Sequence, residues 1–191
     1  MSTTFFANPK KCRHCKTLFT PSLPMQVVCG IECAKAIAAK KREKVEKAND
    51  RQKREQLKTR SQWMKEAQIA FNAFIRERDK EKACICCGFP LHDEKDSAGG
   101  AFDCGHYRSV GSAPNLRFDE RNAHGQRKQC NRYGAGRAVD YRRGLITRMG
   151  LEVVEAIEAD QTPRHYTIDD LKAIKAEYVQ KLNELREKEA A

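Results

Sequence analysis

The chain has 191 residues, a formal net charge of +11, and hydrophobic and aromatic fractions of 40% and 7%. This length allows one ordinary domain or two small ones joined by a linker, and the low aromatic content is thin for one large core. No apolar run approaches the roughly 20 residues that a membrane span needs. We therefore expect a soluble intracellular protein with no membrane partner, in which metal ions supplement the core.

The positive charge is concentrated in the first three quarters of the chain. Residues 1–33, 34–82 and 83–150 carry +3, +8 and +4, whereas residues 151–191 carry −4. Solubility alone does not require so large an excess, and a polyanion would contact the first three segments and be repelled by the last. This distribution favours nucleic acid as the partner.

The amino-terminal segment carries a C-x2-C-x13-C-x3-C pattern formed by Cys12, Cys15, Cys29 and Cys33. The apolar residues between the two pairs are placed as in a short hairpin that leads into a helix. Four thiolates in two short-spaced pairs are typical of a closed structural zinc site, and an odd total of nine cysteines disfavours disulfides. We predict a zinc knuckle over residues 1–33. Whether it binds nucleic acid, binds protein or only caps a helix stays open.

Residues 34–60 contain no Gly or Pro and are rich in residues with high helix propensity. Apolar residues are too sparse for a buried face, so this basic helical linker is either a solvated helix or partly disordered. The segment is either an arm whose cations follow the phosphate backbone of DNA or a spacer that makes no specific contact. The cations that we single out are Lys40, Lys41, Arg42, Lys53 and Arg54.

Residues 61–150 open with an amphipathic helix for which Ser61 is the expected N-cap. Its apolar residues fall at helical spacing, and we interpret Trp63 among them as a core anchor rather than a base-stacking platform. Two further helices are predicted over 139–148 and 151–159, separated by Gly150. In the carboxy-terminal helical segment, 151–191, Thr167 and Asp170 resemble a capping box.

The last predicted helix has an apolar stripe formed by Leu171, Ile174, Tyr178, Leu182 and Leu185. These residues repeat at steps of three and four, which indicates one apolar face along an amphipathic helix. The stripe suits packing within the chain or a short helical dimer seam, and the pattern does not distinguish the two.

The most informative stretch begins with the pair Cys84 and Cys87, continues through Asp103, His106 and Asn122, and ends with Cys130 and Asn131. Phosphodiester cleavage needs an activated water and a divalent ion that stabilises charge on the phosphate and the leaving oxygen. A neutral imidazole such as His106 can activate the water. Asp103 and Asn131 are hard oxygen ligands suited to Mg²⁺ or Mn²⁺, and Asn122 would brace the loop that carries His106.

This arrangement of zinc-type cysteines around a His and two Asn residues resembles the HNH, or ββα-metal, nucleases. The fold class that we expect is therefore α+β, small and zinc-stabilised. It comprises the amino-terminal knuckle, a long basic helix, a central HNH-like ββα-metal module and carboxy-terminal helices. The arginines expected to bind DNA around the central module are Arg108, Arg117, Arg121 and Arg132.

A more specific resemblance rests on the runs Asp103-Cys-Gly-His106-Tyr-Arg, Leu116-Arg-Phe, Glu120-Arg-Asn122-Ala-His124 with Gln126, Cys130-Asn131, Tyr141-Arg and Phe74-Ile-Arg-Glu-Arg-Asp79. With the four-cysteine knuckle, these are similar to the NinG/Rap family of lambdoid phages, over nearly the whole chain. The Cys-Asn ending also resembles the junction-resolving endonuclease of T-even phages.

The family resemblance implies a metal-dependent, dimeric endonuclease in the cytoplasm of the bacterial host. It implies cutting of branched recombination intermediates, such as D-loops and Holliday junctions, during phage homologous recombination. The alternative is a zinc-stabilised DNA-binding accessory protein that does not cleave.

The chain departs from the family pattern at Arg127, where the family has the first cysteine of a C-x-x-C-N run. This leaves Cys84, Cys87 and Cys130 as three aligned zinc ligands. The departure is the best support for the accessory-protein alternative, because a zinc site without its fourth ligand is weakened. We favour His124 as the fourth ligand because it lies nearest in sequence to the lost position, and the alternatives are Cys104 and Cys86.

Overall fold

The computed structural model describes residues 8–91 and 102–190, which form two compact units divided between Lys58 and Thr59. The elements are mostly helical, with two small two-stranded sheets. No helix within the described residues is long and apolar enough to cross a membrane. The observed class is therefore a small α+β protein, in agreement with the coarse expectation.

The first unit is a short hairpin followed by one long helix. Strand β1 (Lys10–Lys11) pairs antiparallel with β2 (Leu18–Phe19), and helix α1 (Ile31–Gln56) follows. The hairpin and helix predicted from the cysteine spacing are confirmed. Of the two states considered for the basic segment, a solvated helix is the one observed, because α1 buries none of its residues.

The second unit begins with α2 (Arg60–Asp79), whose N-cap is Thr59. The prediction of Ser61 as the N-cap is wrong. The Thr59 hydroxyl accepts from the backbone N–H of Gln62, and the Gln62 side chain accepts from the backbone N–H of Thr59. This reciprocal capping box needs a Glu or Gln three residues after the cap, and Met64 stands at that position relative to Ser61.

Helix α5 (Ile168–Ala190) packs along α2 and forms the main core with it. Leu171 and Tyr178 are buried there, and the other members of the apolar stripe pack against the same cluster. The stripe is therefore used within the chain. The predicted capping box is confirmed, since Asp170 accepts from Thr167 and the Thr167 hydroxyl accepts from the backbone N–H of Asp170. Trp63 is 5% exposed, as expected of a core anchor.

The central part of this unit is a hairpin followed by short helical turns. Strand β3 (Phe102–His106) pairs antiparallel with β4 (Ala123–Arg127), with Gly105 opposite His124. A π-helical turn (Gln129–Tyr133), named the π-turn below, leads through a tight loop to α3 (Ala138–Met149) and α4 (Leu151–Ala159). The two predicted helices and their separation at Gly150, which has a φ of +89°, are confirmed.

The two faces of this hairpin contact different neighbours. Cys104 packs against the α2 core, and the ring of His106 lies 5.9 Å from that of Phe71 on α2. Because side chains alternate along a strand, Asp103 and Gly105 belong to the opposite face. On α3, a Cβ at Gly144 would lie 1.9 Å from the carbonyl oxygen of Ile85, so glycine permits close packing of α3 on the cysteine loop.

Candidate metal centres and catalytic residues

The amino-terminal cysteines form one compact cluster of thiols. The sulfur atoms of Cys12, Cys15, Cys29 and Cys33 all lie within 4.8 Å of one another. The Cys15–Cys29 and Cys29–Cys33 sulfur separations are both 3.5 Å. Tetrahedral zinc with bonds of about 2.3 Å to sulfur places the sulfurs roughly 3.8 Å apart. The cluster therefore fits a structural zinc ion.

The central cluster contains three thiols rather than four. The sulfur atoms of Cys84, Cys87 and Cys130 lie within 4.8 Å of one another. Arg127 contributes no side-chain ligand, but its backbone N–H donates to the sulfur of Cys84 at 3.3 Å. Because thiolates are the preferred ligands of zinc, these three residues fit a zinc ion whose fourth ligand comes from elsewhere.

His124 does not join this cluster, so the preference for it as the fourth ligand is wrong. Its Nδ1 lies 3.2 Å from guanidinium nitrogens of both Arg78 and Arg148, and its Nε2 lies 3.2 Å from the carbonyl oxygen of Arg121. Guanidinium groups only donate, so Nδ1 accepts and Nε2 carries the proton. Burial lowers the pKa of His124, which favours this neutral ring. Both ring nitrogens therefore have other partners.

The two alternatives for the fourth ligand differ in position. Cys104 packs against the α2 core, and burial raises the pKa of its thiol to about 12. Cys86 instead lies beside the cluster, and its thiol hydrogen bond is the main reason that the pKa of Cys84 is lowered to about 4. The sulfur of Cys86 also accepts from the side-chain amide of Gln126 at 2.9 Å. Of the three candidates, only Cys86 adjoins the three thiols.

Asp103 and Asn131 are brought into direct contact. The side-chain amide nitrogen of Asn131 donates to the Asp103 carboxylate at 3.0 Å. Arg132 binds both oxygens of that carboxylate at 2.8 Å, from Nε and Nη2. Although partial burial opposes ionisation, the bonds from Arg132 and Asn131 hold the pKa of Asp103 below its ordinary value. The carboxylate is therefore ionised and already neutralised by a cation.

His106 is held by a backbone carbonyl. Its Nε2 lies 3.0 Å from the carbonyl oxygen of Arg117. A carbonyl only accepts, so Nε2 carries the proton and Nδ1 has the free lone pair of a base. Burial lowers the pKa of His106, against the smaller opposing effect of the carbonyl bond. The imidazole is therefore neutral at pH 7.

Asn122 is completely buried and links the two ends of the loop that follows β3. Its side-chain oxygen accepts from the backbone N–H of Arg108, and its amide nitrogen donates to the carbonyls of Arg108 and Leu116. The backbone N–H of Tyr107, the residue after His106, donates to the Asn122 carbonyl. Asn122 therefore lies where the bracing role was expected.

The four predicted catalytic residues form two groups in this structure. Asp103 contacts Asn131, whereas His106 and Asn122 border the loop after β3. Asp103 and His106 are three residues apart on β3, so their side chains leave opposite faces of the hairpin. A single contiguous set of four residues is not observed.

The predicted DNA-binding cations differ in availability. Arg121 and Arg132 are exposed, and each pairs with a carboxylate, that of Asp119 and Asp103 respectively. Arg108 and Arg117 are half-buried and bond to the Glu158 carbonyl and the Gln68 side chain. The five singled-out cations of α1 are all exposed.

Sequence reasoning missed the role of Asp79. This residue is fully buried at the end of α2, and its carboxylate accepts from Arg78, from Lys82 and from the backbone N–H of Gly125. Arg78 also donates to the carbonyl of Ala123 on β4. The group ties α2 to the hairpin. Its only signal in the sequence was its position within the run that resembles the family.

These features define a small, mostly helical α+β protein with two cysteine clusters able to hold zinc. A family profile described as "Bacteriophage Lambda NinG protein" matches residues 6–189. A "Protein ninG" of Salmonella phage P22 is 42% identical over 198 residues, covering 93% of this chain and 94% of that protein. The "Protein ninG" of Escherichia phage lambda is 42% identical over 197 residues, covering 93% of each chain.

The chain therefore belongs to the NinG family of phage proteins. No solved structure matches it. The names of these relatives state no activity, so the nuclease expectation and the HNH type stay predictions.

Proposed function

We propose that this protein is a metal-dependent, HNH-type endonuclease that cuts branched DNA during phage homologous recombination. The observation that carries the proposal is the contact between Asp103 and Asn131, on a hairpin and turn beside a zinc-type thiol cluster. Carboxylate and amide oxygens are the ligands that Mg²⁺ and Mn²⁺ prefer. The large positive charge of the chain is consistent with a DNA substrate.

The donor pair fits a divalent ion in type but must rearrange to hold it. Asn131 presents its amide nitrogen to Asp103, so the amide must turn to present its oxygen. Arg132 must release one carboxylate oxygen, and its exposed side chain is free to move towards a phosphate. A divalent ion bound there would neutralise charge on the scissile phosphate and stabilise the leaving oxygen.

His106 supplies the base in this proposal, which requires the end of the hairpin to rearrange, because His106 and Asp103 leave opposite faces of it in this structure. Its protonated Nε2 is anchored on the Arg117 carbonyl, which leaves Nδ1 to take a proton from the attacking water. Its lowered pKa keeps that nitrogen unprotonated at neutral pH. Asn122 braces the loop between His106 and Arg117, because its side chain bonds to the backbone of Arg108 near one end and of Leu116 near the other.

The direct test is incubation of zinc-loaded protein with a synthetic four-way junction, with and without Mg²⁺ or Mn²⁺. We expect cleavage that requires the divalent ion and that His106→Ala slows by about 100-fold or more. His165→Ala is the matched control, because His165 is exposed and lies outside both groups. Equal cleavage by wild type and His106→Ala would exclude His106 as the base.

The second candidate function is a DNA-binding recombination accessory protein without cleavage. The bidentate pairing of Arg132 with Asp103 favours it, because that carboxylate is already neutralised. Both functions predict salt-sensitive DNA binding, but only the nuclease needs a weaker divalent site besides zinc. Junction binding without cleavage at any Mg²⁺ or Mn²⁺ concentration would favour the accessory protein.

The homodimer implied by the family resemblance stays part of this proposal. Its interface must lie outside the apolar stripe of α5, because that stripe is packed on α2. The molecular mass in solution, measured with and without junction DNA, tests this directly.

A further inference from the structure

An open pocket of about 380 Å³ lies against the central thiol cluster. Its wall includes Cys87 and Cys130 of that cluster, the aromatic residues Phe89 and Tyr133, and the cations Arg127 and Arg137. Neither the proposed cleavage site nor the predicted DNA-binding residues include the aromatic and cationic part of this wall.

The two aromatic rings are unusually exposed. Phe89 is 61% and Tyr133 is 85% exposed, whereas Phe71, Phe74 and Trp63 are all under 9% exposed. Neither ring belongs to a hydrophobic core cluster of the described residues, so packing of the fold does not account for their position. Exposed aromatic rings that border a pocket indicate a surface for binding a partner.

Two arginines lie at the rim of the pocket, and one of them, Arg137, also pairs with Asp140 at 3.1 Å. The guanidinium of Arg127 lies 5.3 Å from the centre of the Phe89 ring, and that of Arg137 lies 3.8 Å from the Cys130 sulfur. Arg137 ends a loop in which Ala135, Gly136 and Arg137 have φ values of +49°, +77° and +48°. Left-handed backbone at two non-glycine residues is costly, and such strain clusters at ligand-binding sites.

We propose that this pocket binds an unpaired nucleotide of DNA. The base stacks on Phe89 and Tyr133, and the adjoining phosphate pairs with Arg127 and Arg137. Stacking on aromatic rings together with cation contacts to the backbone is the chemistry by which proteins hold single-stranded nucleic acid. A fully paired duplex keeps its bases stacked inside and cannot fill the pocket.

The π-turn connects this pocket to the proposed cleavage site. Within its five residues it contributes Cys130 to the thiol cluster, Asn131 to the contact with Asp103, and Tyr133 to the pocket. An unpaired nucleotide held by Tyr133 would therefore place the neighbouring backbone close to Asp103. Branch points expose unstacked nucleotides, so the pocket would favour branched over linear DNA. The inference rests on the proposed DNA binding and not on cleavage.

The test uses zinc-loaded full-length protein without added Mg²⁺ or Mn²⁺. The ligands are a gapped duplex with one unpaired 2-aminopurine and a matched duplex in which that base is paired. We expect wild type to quench the unpaired 2-aminopurine, because stacking quenches its fluorescence. Phe89→Ala and Tyr133→Ala should lose the quenching and bind the gapped DNA about 5- to 150-fold more weakly. Their affinity for the paired duplex should change less than about twofold.

Conservative variants separate stacking from misfolding. Phe89→Tyr and Tyr133→Phe keep a ring and should retain both quenching and affinity. Val139→Ala, at a residue that is 70% exposed and outside the pocket, should match wild type. The proposal is overturned if wild type does not quench, if both alanine variants still quench, or if gapped and paired DNA lose affinity in parallel. If the protein quenches 2-aminopurine but does not cleave the four-way junction with any divalent ion, the nuclease proposal is wrong and the pocket proposal is retained.

Discussion

The side-chain amide of Asn131 donates a 3.0 Å hydrogen bond to the carboxylate of Asp103. The two residues are 28 positions apart, and the antiparallel pairing of β3 with β4 brings the π-turn back beside Asp103. Two oxygen-bearing side chains thus meet at the edge of a thiol cluster, with Arg132 as a third partner. If this pair is a divalent-metal site, Arg132 competes with the metal for the carboxylate.

The first prediction concerns that competition. Arg132→Ala should lower the Mg²⁺ or Mn²⁺ concentration that gives half-maximal cleavage, because the carboxylate no longer has a protein cation to displace. Asp103→Asn should lower the rate of metal-dependent cleavage by about 100-fold or more, while junction binding persists. Arg186→Ala is the control, because Arg186 is an exposed arginine that pairs with Glu77 and lies outside both proposed sites. Titration of cleavage against metal concentration measures both effects, and an unchanged midpoint in Arg132→Ala would argue against the site.

The second prediction concerns the central thiols. Cys87→Ser should lose roughly one zinc ion per chain, because Cys87 is one of the three ligands that cluster there among the described residues. Cys86→Ser should keep its zinc, since a serine hydroxyl can still donate to Cys84. Zinc content and the absorption of Co²⁺-substituted protein measure this. Equal zinc loss in both variants would instead identify Cys86 as the fourth ligand.

The third prediction concerns the buried carboxylate of Asp79. Asp79→Asn should lower the free energy of unfolding by about 3 kcal/mol or more, because Arg78 and the Gly125 N–H lose a charged acceptor inside the protein. Urea unfolding measures the change. Asp169→Asn is the control and should cost less than about 1 kcal/mol, because its ion pair with Lys172 is exposed.

The same residue predicts a pH dependence. Burial opposes ionisation of Asp79, but the hydrogen bonds and positive charges of Arg78 and Lys82 hold its pKa far below the ordinary value. Because the folded-state pKa is depressed, its contribution to stability is fully present above the unfolded value of about 3.9 and is lost as the pH falls below it. Wild type should therefore lose more stability than Asp79→Asn between about pH 5 and pH 2. Parallel pH curves for the two proteins would contradict this.

The fourth prediction concerns α1. Replacing its five singled-out cations, Lys40, Lys41, Arg42, Lys53 and Arg54, with Gln should weaken binding to linear and branched DNA alike. It should flatten the log–log salt dependence by roughly 0.9 for each phosphate contact removed. The fold should persist, because α1 buries no residue. Lys188→Gln, in the acidic carboxy-terminal segment, is the control, and an unchanged salt slope would make α1 a spacer.

Local sequence chemistry determined much of this protein. The spacing of Cys12, Cys15, Cys29 and Cys33 predicted the amino-terminal cluster, and Thr167 with Asp170 predicted the start of α5. The residues of each feature lie within one helical turn or one hairpin of each other. Their geometry therefore follows from local chain connectivity and from helix capping. The error at Ser61 is of the same local kind, because the better cap at Thr59 depended on its reciprocal partner, Gln62.

Only the tertiary structure decided which faces and partners the side chains use. His124 was favoured as a ligand because it is close in sequence to Arg127, but residues three apart on β4 point to opposite faces. The same alternation separates His106 from Asp103 on β3. The partner of the α5 stripe depended on α2, more than 80 residues earlier in the chain. A sequence pattern states that a face is apolar or that a ligand is near, but strand register and long-range packing determine what each side chain meets.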